Sequence, residues 1–448
     1  MNLFKDIRNI NEENMHYKYK TIKDNPMGVG ERNILQGWVD GLVDRDNKMV
    51  QEFQKTFHSS FWEFYLFACF KEAGFRLNQQ YNRPDFIIEA PNKFVVEAVV
   101  ANIKNKGRQE AERNLDDLLN MFVPPRKQYD FHTVLDEAVV RQSNAISSKI
   151  KKYRNEYTNC KWVEEDNPFV IAISSYSQVN YGREYIYPMM ALLYGMYYIP
   201  ETDTYETRET ILKPDTDAAI PIGLFCTESY RDVSAILYSC TTTLGKLTSL
   251  SISRGDKSVN SVYNLRRDYE DSRIPYKLQK VSKECPELLS DGLFLFHNPY
   301  AKNKLDIKCF ESSNVTQYFW KNNKLFHTNN TYPIICRLNF PSILEKSYRQ
   351  LIDEYVRQYN NFSPIEAYSL DPAKKIAVDF YKDCIVCVWV VMKESQVLRN
   401  IHYTRPQFML DSSIEREALQ IVSNYSNIEY ISRIDIVRTY EELLMINQ

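Results

Sequence analysis

Glycine is scarce in this chain, 12 of 448 residues, which leaves few positions for a phosphate-cradling loop and excludes collagen-like and Gly-rich linker classes. GxGxxG, Walker A and GxSxG are all missing, so dinucleotide oxidoreductases, P-loop NTPases and α/β-hydrolases lack their usual sequence support. No run approaches the roughly 18 consecutive apolar residues that a membrane-spanning helix needs. The opening residues, MNLFKDIRNINEEN, lack the apolar core of a secretory signal, and a cytoplasmic location is expected. The six histidines fall at no metal-binding spacing. The nine cysteines are odd in number and scattered, which fits free thiols better than a disulfide framework. Cys384 and Cys387, the one close pair, border and enter the apolar run Ile385–Met392 and read as part of a buried strand. Neither sign of charge is in excess: 56 Lys and Arg face 58 Asp and Glu, a formal net charge of -2. No global field draws such a chain to polyanions, so any nucleic-acid contact must be local.

What is present is an ordinary globular complement, 44% apolar and 25% charged, with 32 tyrosines. At this length two or three domains are expected. The segment Ser59–Ala73 predicts a helix with a broad apolar face (Phe61, Trp62, Tyr65, Leu66, Cys69, Phe70), a Ser59 or Ser60 cap and Gly74 as its stop. Three extended stretches follow, Phe75–Gln79, Phe86–Glu89 and Phe94–Ala101, the last two joined by the turn residues Ala90-Pro91-Asn92. Helical patterns over 107–121 and 133–157 come next, and then a buried strand at Pro168–Ser174. Cys226–Ser253 and Leu293–Phe296 read as further strands and Glu201–Ala219, with six acidic and two basic residues, as an exposed loop. The pattern restarts near 325 with a strand (Tyr332–Leu338), a helix (Ile343–Tyr359) and a strand (Cys384–Met392), and closes with helices near 413–424 and 435–446. The expected class is α/β with a mixed sheet, divided into residues 1–325 and a C-terminal α/β extension, 326–448.

Three carboxylates stand out. Glu63 lies on the first helix, Asp85 follows Pro84 at the start of the second strand, and Glu97 sits in the third among Phe94, Val95, Val96, Ala98, Val99 and Val100. A hairpin brings Asp85 and Glu97 to one sheet edge. A carboxylate inside an apolar strand costs several kcal/mol unless it is paired or coordinated. Converging hard oxygens suit Mg²⁺ or Mn²⁺.

Pro84-Asp85 … Glu97-Ala98-Val99, after a helix bearing Glu63, resembles the PD-(D/E)xK nuclease superfamily, whose restriction-endonuclease-like core runs α-β-β-β-α-β. The fragment FQKTFHSSFWEFYLFACFKEAGF … PDF … VEAVVAN is also similar to the start of a poorly characterised group of bacterial proteins with this core, and the likeness continues through VIAIS, ALLYG and FHNPYA. The resemblance implies metal-dependent phosphodiester hydrolysis, in a setting such as restriction or anti-phage defence. Asp85 and Glu97 would hold the Mg²⁺ or Mn²⁺ ion, with the Ala98 carbonyl and the outer carboxylate of Glu63. The motif's lysine is replaced by Val99, which shares a face with Glu97. Lys104, just past the strand, and Lys149, on the following helix, are the candidates to supply that cation. Val99 also keeps open the alternative of an inactive nuclease-fold protein that binds nucleic acid or a partner.

Two basic stretches are candidate phosphate contacts. Between Arg141 and Lys161 stand six basic residues and one acidic; Arg141, Lys149, Lys152 and Arg154 are the candidates there. Between Arg254 and Lys283, eight basic and four acidic residues include Arg266 and Arg267 interleaved with Tyr263 and Tyr276, a composition that can stack bases. The expected partners are nucleic acid, DNA ahead of RNA, and a second copy or another protein through the C-terminal extension, with no membrane.

Overall fold

The computed structural model describes the chain apart from residues 8–9, 104–107, 115–116, 118–119, 178, 180–181, 215, 217, 272, 322–323, 361–364, 369–374, 379–382, 394–397, 440–441 and 443–448. Two compact units are present, Met1–Val356 and Arg357–Gln448. Position 325 lies inside a β-hairpin, Thr316–Lys321 with Lys324–Asn329, and the strand after it, Ile334–Pro341, pairs with Asn260–Arg267. Those pairings carry the first unit some 30 residues beyond the expected boundary.

The first unit is mixed α/β around an eight-stranded mixed sheet. Its leading elements are α1 (His58–Glu72), β1 (Arg76–Asn78), β2 (Phe86–Ala90), β3 (Phe94–Asn102), α2 (Phe131–Asn155) and β4 (Phe169–Tyr176). The sheet continues with β5 (Ala235–Ser239), β6 (Phe294–His297), β7 (Thr316–Lys321) and β8 (Lys324–Asn329), and the strands lie side by side in chain order. The β1–β2 and β2–β3 pairs are antiparallel, while β3–β4 and β4–β5 are parallel.

Helix α1 buries residues on nearly every side, because it lies between the sheet and the N-terminal helices Val29–Trp38 and Met49–Thr56. Phe61, Trp62, Phe64 and Tyr65 are all essentially inaccessible, and truncating one such ring costs on the order of 3–5 kcal/mol. The helix begins one residue earlier than expected, after Phe57, and Ser60 is buried within it instead of capping it. Gly74, at φ +80°, ends it as expected, with Phe75 N–H donating to the Phe70 carbonyl (3.0 Å).

Period-2 alternation divides the sheet residues between two helical layers. Phe94, Val96, Ala98, Val170 and Ala172 join the α1 core, and Trp62 Nε1 donates to the Ala172 carbonyl at 3.0 Å. Val95, Glu97 and Phe169 face α2, whose Tyr153 ring stacks on Phe169 at 4.1 Å. With both faces covered, β3 reads as a near-continuous apolar run, as parallel-paired strands do. Glu97 is the exception in that run.

Three expectations change in the structure. Leu244–Arg254, expected as strand, is a helix, α3, packed on the strands Asn260–Arg267 and Ile334–Pro341. Its Ser and Thr residues suggest a strand, but tertiary partners override that propensity. Within 201–219 there are short hairpin strands, Thr204–Thr207, Thr210–Leu212 and Ala219–Pro221, mostly exposed. Of the helix expected over 107–121, the described residues show a 3-10 turn at Glu110–Glu112 and helical backbone at Asp117 and Asn120, and several positions lie outside them.

The second unit has a three-stranded antiparallel sheet, Leu398–Pro406, Asp383–Met392 and Ile428–Val437, backed by helix Asp411–Ser423. Ile414, Ala418 and Val422 of the helix pack on Cys384, Val386, Val388 and Val390. The strand Ile428–Val437 overlaps the start of an expected helix. Its register shifts twice against the central strand, and Ile428, Ile431, Ile434 and Ile436 pack on the core. Cys384 and Cys387 are buried free thiols, as expected. Among the described residues no helix is long and apolar enough to cross a membrane.

Candidate functional site: a carboxylate cluster met by two lysines

The sequence of events at the edge of β3 begins with the hairpin. Strand β2 starts at Phe86, opposite Val96, so Ala98 projects its edge beyond the end of β2. Asp85 fills that space, and its Oδ2 accepts the Ala98 N–H at 2.7 Å. In an extended strand a residue's C=O lies on the same edge as its N–H, so the Ala98 carbonyl also faces the Asp85 side. Arg83, on the approach, is held by Trp162, whose Nε1 donates to the Arg83 carbonyl at 2.7 Å.

Glu97 is fully inaccessible and both of its oxygens are engaged. Oε1 accepts from Lys149 Nζ (2.8 Å) and Lys152 Nζ (2.9 Å), and Oε2 accepts from the Tyr157 hydroxyl (2.6 Å). Lys149 and Lys152 are three apart on α2 and therefore share a face, and Tyr157 lies in the turn after the helix. The lysines are partly open to solvent, at 20% and 37% side-chain exposure, while the Glu97 side chain is closed off. A cation thus reaches Glu97 from the following helix, where the Val99 side chain offers none.

The acids differ in charge state. Burial pushes Glu97 up, but the adjacent Lys149 ammonium and the hydrogen bonds from Lys149, Tyr157 and Lys152 outweigh it and leave the carboxyl below its ordinary value. Asp85 is pushed up to about 6 by burial and then by the Glu97 charge, partly offset by the Ala98 N–H. Glu63 is pushed up to about 8 by burial and by the charges of Asp85, Glu52 and Glu97. The Glu63 carboxyl has no hydrogen-bond or ion-pair partner among the described residues. Near neutral pH the cluster therefore holds an ionised Glu97, a largely protonated Glu63 and an Asp85 between them.

The structure joins Glu97 to Lys149 and Asp85 to the Ala98 N–H, and sets Glu63 and Asp85 near enough to Glu97 to feel its charge. Lys104 lies outside the described residues. Lys152, considered only as a phosphate contact, is a partner of Glu97, and Tyr157 was not anticipated. The i, i+3 spacing of Lys149 and Lys152, with a tyrosine just past the helix end, is the signal that marks them. Arg141 lies two helical turns before Lys149 on the same stripe, with no ion-pair partner among the described residues. Arg154 is turned elsewhere, with Nε on Asp232 Oδ2 at 2.7 Å.

The two arginines of the second basic stretch point in opposite directions, as consecutive strand residues do. Arg266 is turned inward, 4% exposed, with its guanidinium on Asp291, Gln279 and the Tyr332 carbonyl, which leaves it no outward donor for a phosphate. Arg267 is partly exposed and lies among tyrosines.

Among the described residues no three His, Cys, Asp or Glu side chains form a preassembled metal-ligand group. The chain matches no protein-family model, no curated protein and no solved structure.

Proposed function

We propose that this chain is a divalent-metal-dependent phosphodiester hydrolase acting on nucleic acid, DNA ahead of RNA, built on a restriction-endonuclease-like core. The observation that carries the reading is the meeting of Lys149 with Glu97 beside Asp85, which supplies from α2 the cation that Val99 denies to the motif. The α1-β1-β2-β3-α2-β4 order, with an antiparallel β1–β2–β3 meander and a parallel β3–β4 pair, supports the fold part of it.

The donor set fits Mg²⁺ or Mn²⁺. Glu63 has an unpartnered carboxyl, Asp85 has its Oδ1 uncommitted, and the Ala98 carbonyl faces the same edge, all hard oxygens. The raised values of Glu63 and Asp85 express like-charge repulsion, besides burial, that a cation would relieve. Glu63, Asp85 and the Ala98 carbonyl would hold the ion, with Glu97 beside them. When bound, the ion supplies Lewis-acid polarisation of the phosphoryl group and acidifies a water molecule. The chain's own part is electrostatic: Lys149 and Lys152 keep Glu97 ionised and set positive charge where a phosphoryl group gathers negative charge. Arg141 extends that positive stripe along α2 and can position a backbone phosphate.

The test is hydrolysis of plasmid DNA and of RNA by the full chain with Mg²⁺ or Mn²⁺. Cutting should vanish in Asp85→Ala, Glu97→Ala and Lys149→Ala; cutting that survives all three sinks the assigned site. A second reading is favoured by one observation, the saturation of both Glu97 oxygens by Lys149, Lys152 and Tyr157, which suits a structural ion cluster. On that reading the protein binds nucleic acid or a partner without cutting. A Mn²⁺ titration separates the two, since metal binding that Asp85→Asn removes counts against the inactive protein.

A further inference from the structure

Arg267 ends the strand Asn260–Arg267, directly opposite Tyr276 of the strand Tyr276–Lys280. Its guanidinium lies 5.2 Å from the centre of the Tyr269 ring and 5.4 Å from that of Tyr276, and one N–H donates to the Tyr276 hydroxyl at 3.2 Å. No carboxylate among the described residues pairs with it. A guanidinium has five N–H donors, and a half-buried cation with one hydroxyl acceptor and two ring faces remains short of acceptors. Its neighbour Arg266 marks the contrast, because the same strand delivers that residue to the carboxylate of Asp291.

A second, independent group points into the same place. Tyr185 is 2% exposed, its hydroxyl is buried, and that hydroxyl has no hydrogen-bond partner. Its backbone stands at φ +46°, which a bulky side chain seldom adopts. Tyr185 lies within electrostatic reach of Arg267, Tyr269 and Tyr318. Tyr269 and Tyr318 share a hydroxyl–hydroxyl contact of 2.5 Å, and Tyr205, 38% exposed, lies within electrostatic reach of Arg267 and Tyr269.

We propose that the tyrosine-lined site around Arg267 binds the phosphoryl group of a nucleotide, with the attached base against an aromatic face. The guanidinium fork meets two phosphoryl oxygens, and the Tyr185 hydroxyl donates to a third. Stacking on a tyrosine accommodates any base. The nucleotide can be free or can be the 5′ end of a strand, since both present the same group.

The proposal does not rest on the hydrolytic reading. Cross-strand register sets Glu97, Ile171, Ile236, Phe296 and Tyr318 in one row across one face of the sheet. Four strand spacings therefore separate Glu97 from Tyr318, about 19 Å. The two sites are separate and can fail separately.

The test is calorimetric titration of the full chain in EDTA, which silences metal-dependent cutting. The probes are AMP, adenosine, inorganic phosphate, and a short oligonucleotide with and without a 5′-phosphate. AMP or the 5′-phosphorylated strand should bind, with adenosine and the unphosphorylated strand at least about tenfold weaker. Arg267→Gln should weaken AMP by about tenfold or more, and Tyr185→Phe, which keeps the ring, by about threefold to tenfold. Arg267→Lys, which keeps the charge and loses the fork, should behave like Arg267→Gln and serves if that variant does not fold. A 5′-phosphorylated strand that outbinds AMP identifies a strand terminus as the ligand; the reverse order identifies a free nucleotide. Adenosine binding as tightly as AMP, unchanged AMP affinity in the Arg267 variants, or no binding of any probe overturns the proposal.

Discussion

Two buried glutamates of the first unit are each met by a lysine, and they do different things with it. Glu287 accepts from Lys246 (2.7 Å), Asn264 (2.9 Å) and Arg337 Nε (3.0 Å), and also from Ser249. Its partners are as buried as it is, with side-chain exposures of 1% for Lys246 and 3% for Arg337. Lys246 also donates to the carbonyls of Leu288 and Asp291, so little in that network is left over. Glu97 is equally closed off, but its lysines are partly open, and they offset only in part the burial and like charge that hold the carboxyls of its neighbours Glu63 and Asp85 above their ordinary values. A satisfied network of this kind ties chain segments together. An unsatisfied one costs stability and keeps groups ready for a ligand, which is why perturbed acids beside a partly exposed cation mark a functional site.

The sharpest break between the two comes from removing each carboxylate. Lys149→Ala and Glu97→Ala should reduce hydrolysis by at least about a hundredfold, the scale of one lost electrostatic or proton-transfer group. Glu287→Ala should instead unfold the protein, because it strands Lys246 and Arg337 in a dry interior; about 3–5 kcal/mol is expected for a broken buried pair. Urea denaturation of both variants checks this. Equal destabilisation by Glu97→Ala and Glu287→Ala would make the Glu97 cluster structural too.

The next effect is smaller and has the opposite sign. Glu63 and Asp85 hold their protons more tightly in the folded chain, at about 8 and about 6 against ordinary values of 4.5 and 3.8. The stability they contribute is present below about pH 4 and is lost as pH rises through those folded values. Between pH 4 and pH 8 the folded protein should lose stability from this pair. Glu63→Gln should flatten that slope and leave the protein more stable than wild type at pH 8. Thermal melts in EDTA at pH 5 and pH 8 measure it, and Mn²⁺ should raise Tm at pH 8 more than at pH 5. A melting temperature that rises over this interval would show that the cluster is not short of positive charge.

Much of the core was legible because local pattern and environment agree there. The β2–β3 hairpin follows from two apolar runs separated by Pro91 and Asn92, and α2 and β4 follow from their periods. Asp85, Glu97 and Lys149 could be singled out because a charged residue in an apolar strand needs a partner and α2 is the next basic element. The Glu287 network could not be read, since its partners Lys246 and Arg337 lie 41 and 50 residues away in separate elements. Helix α3 was hidden because its Thr and Ser residues are weak helix formers, and the contacts of Lys246 and Ser249 with Glu287 come from a separate element. Tyr157 was one tyrosine among 32, and only the fold shows it donating to Glu97.

The smallest expected effect concerns the outer end of α2, where Lys152 and Arg154 are two residues apart and do different work. Arg154 is 47% exposed and holds Asp232, itself 32% exposed, a pair worth less than about 1 kcal/mol to stability. Such a side chain can leave Asp232 for a phosphate at little cost, whereas Lys152 would have to leave a buried carboxylate. Arg154→Ala should therefore lower nucleic-acid affinity modestly for every sequence and reduce the salt slope by about 1. Lys152→Ala should leave the salt slope unchanged and instead slow hydrolysis, by about tenfold, because Glu97 keeps Lys149. Fluorescence polarisation of a labelled duplex over a salt series, beside single-turnover cutting, separates the two. If both substitutions changed only the salt slope, Lys152 would belong with Arg154 as a surface phosphate contact, and the Glu97 cluster would rest on Lys149 and Tyr157 alone.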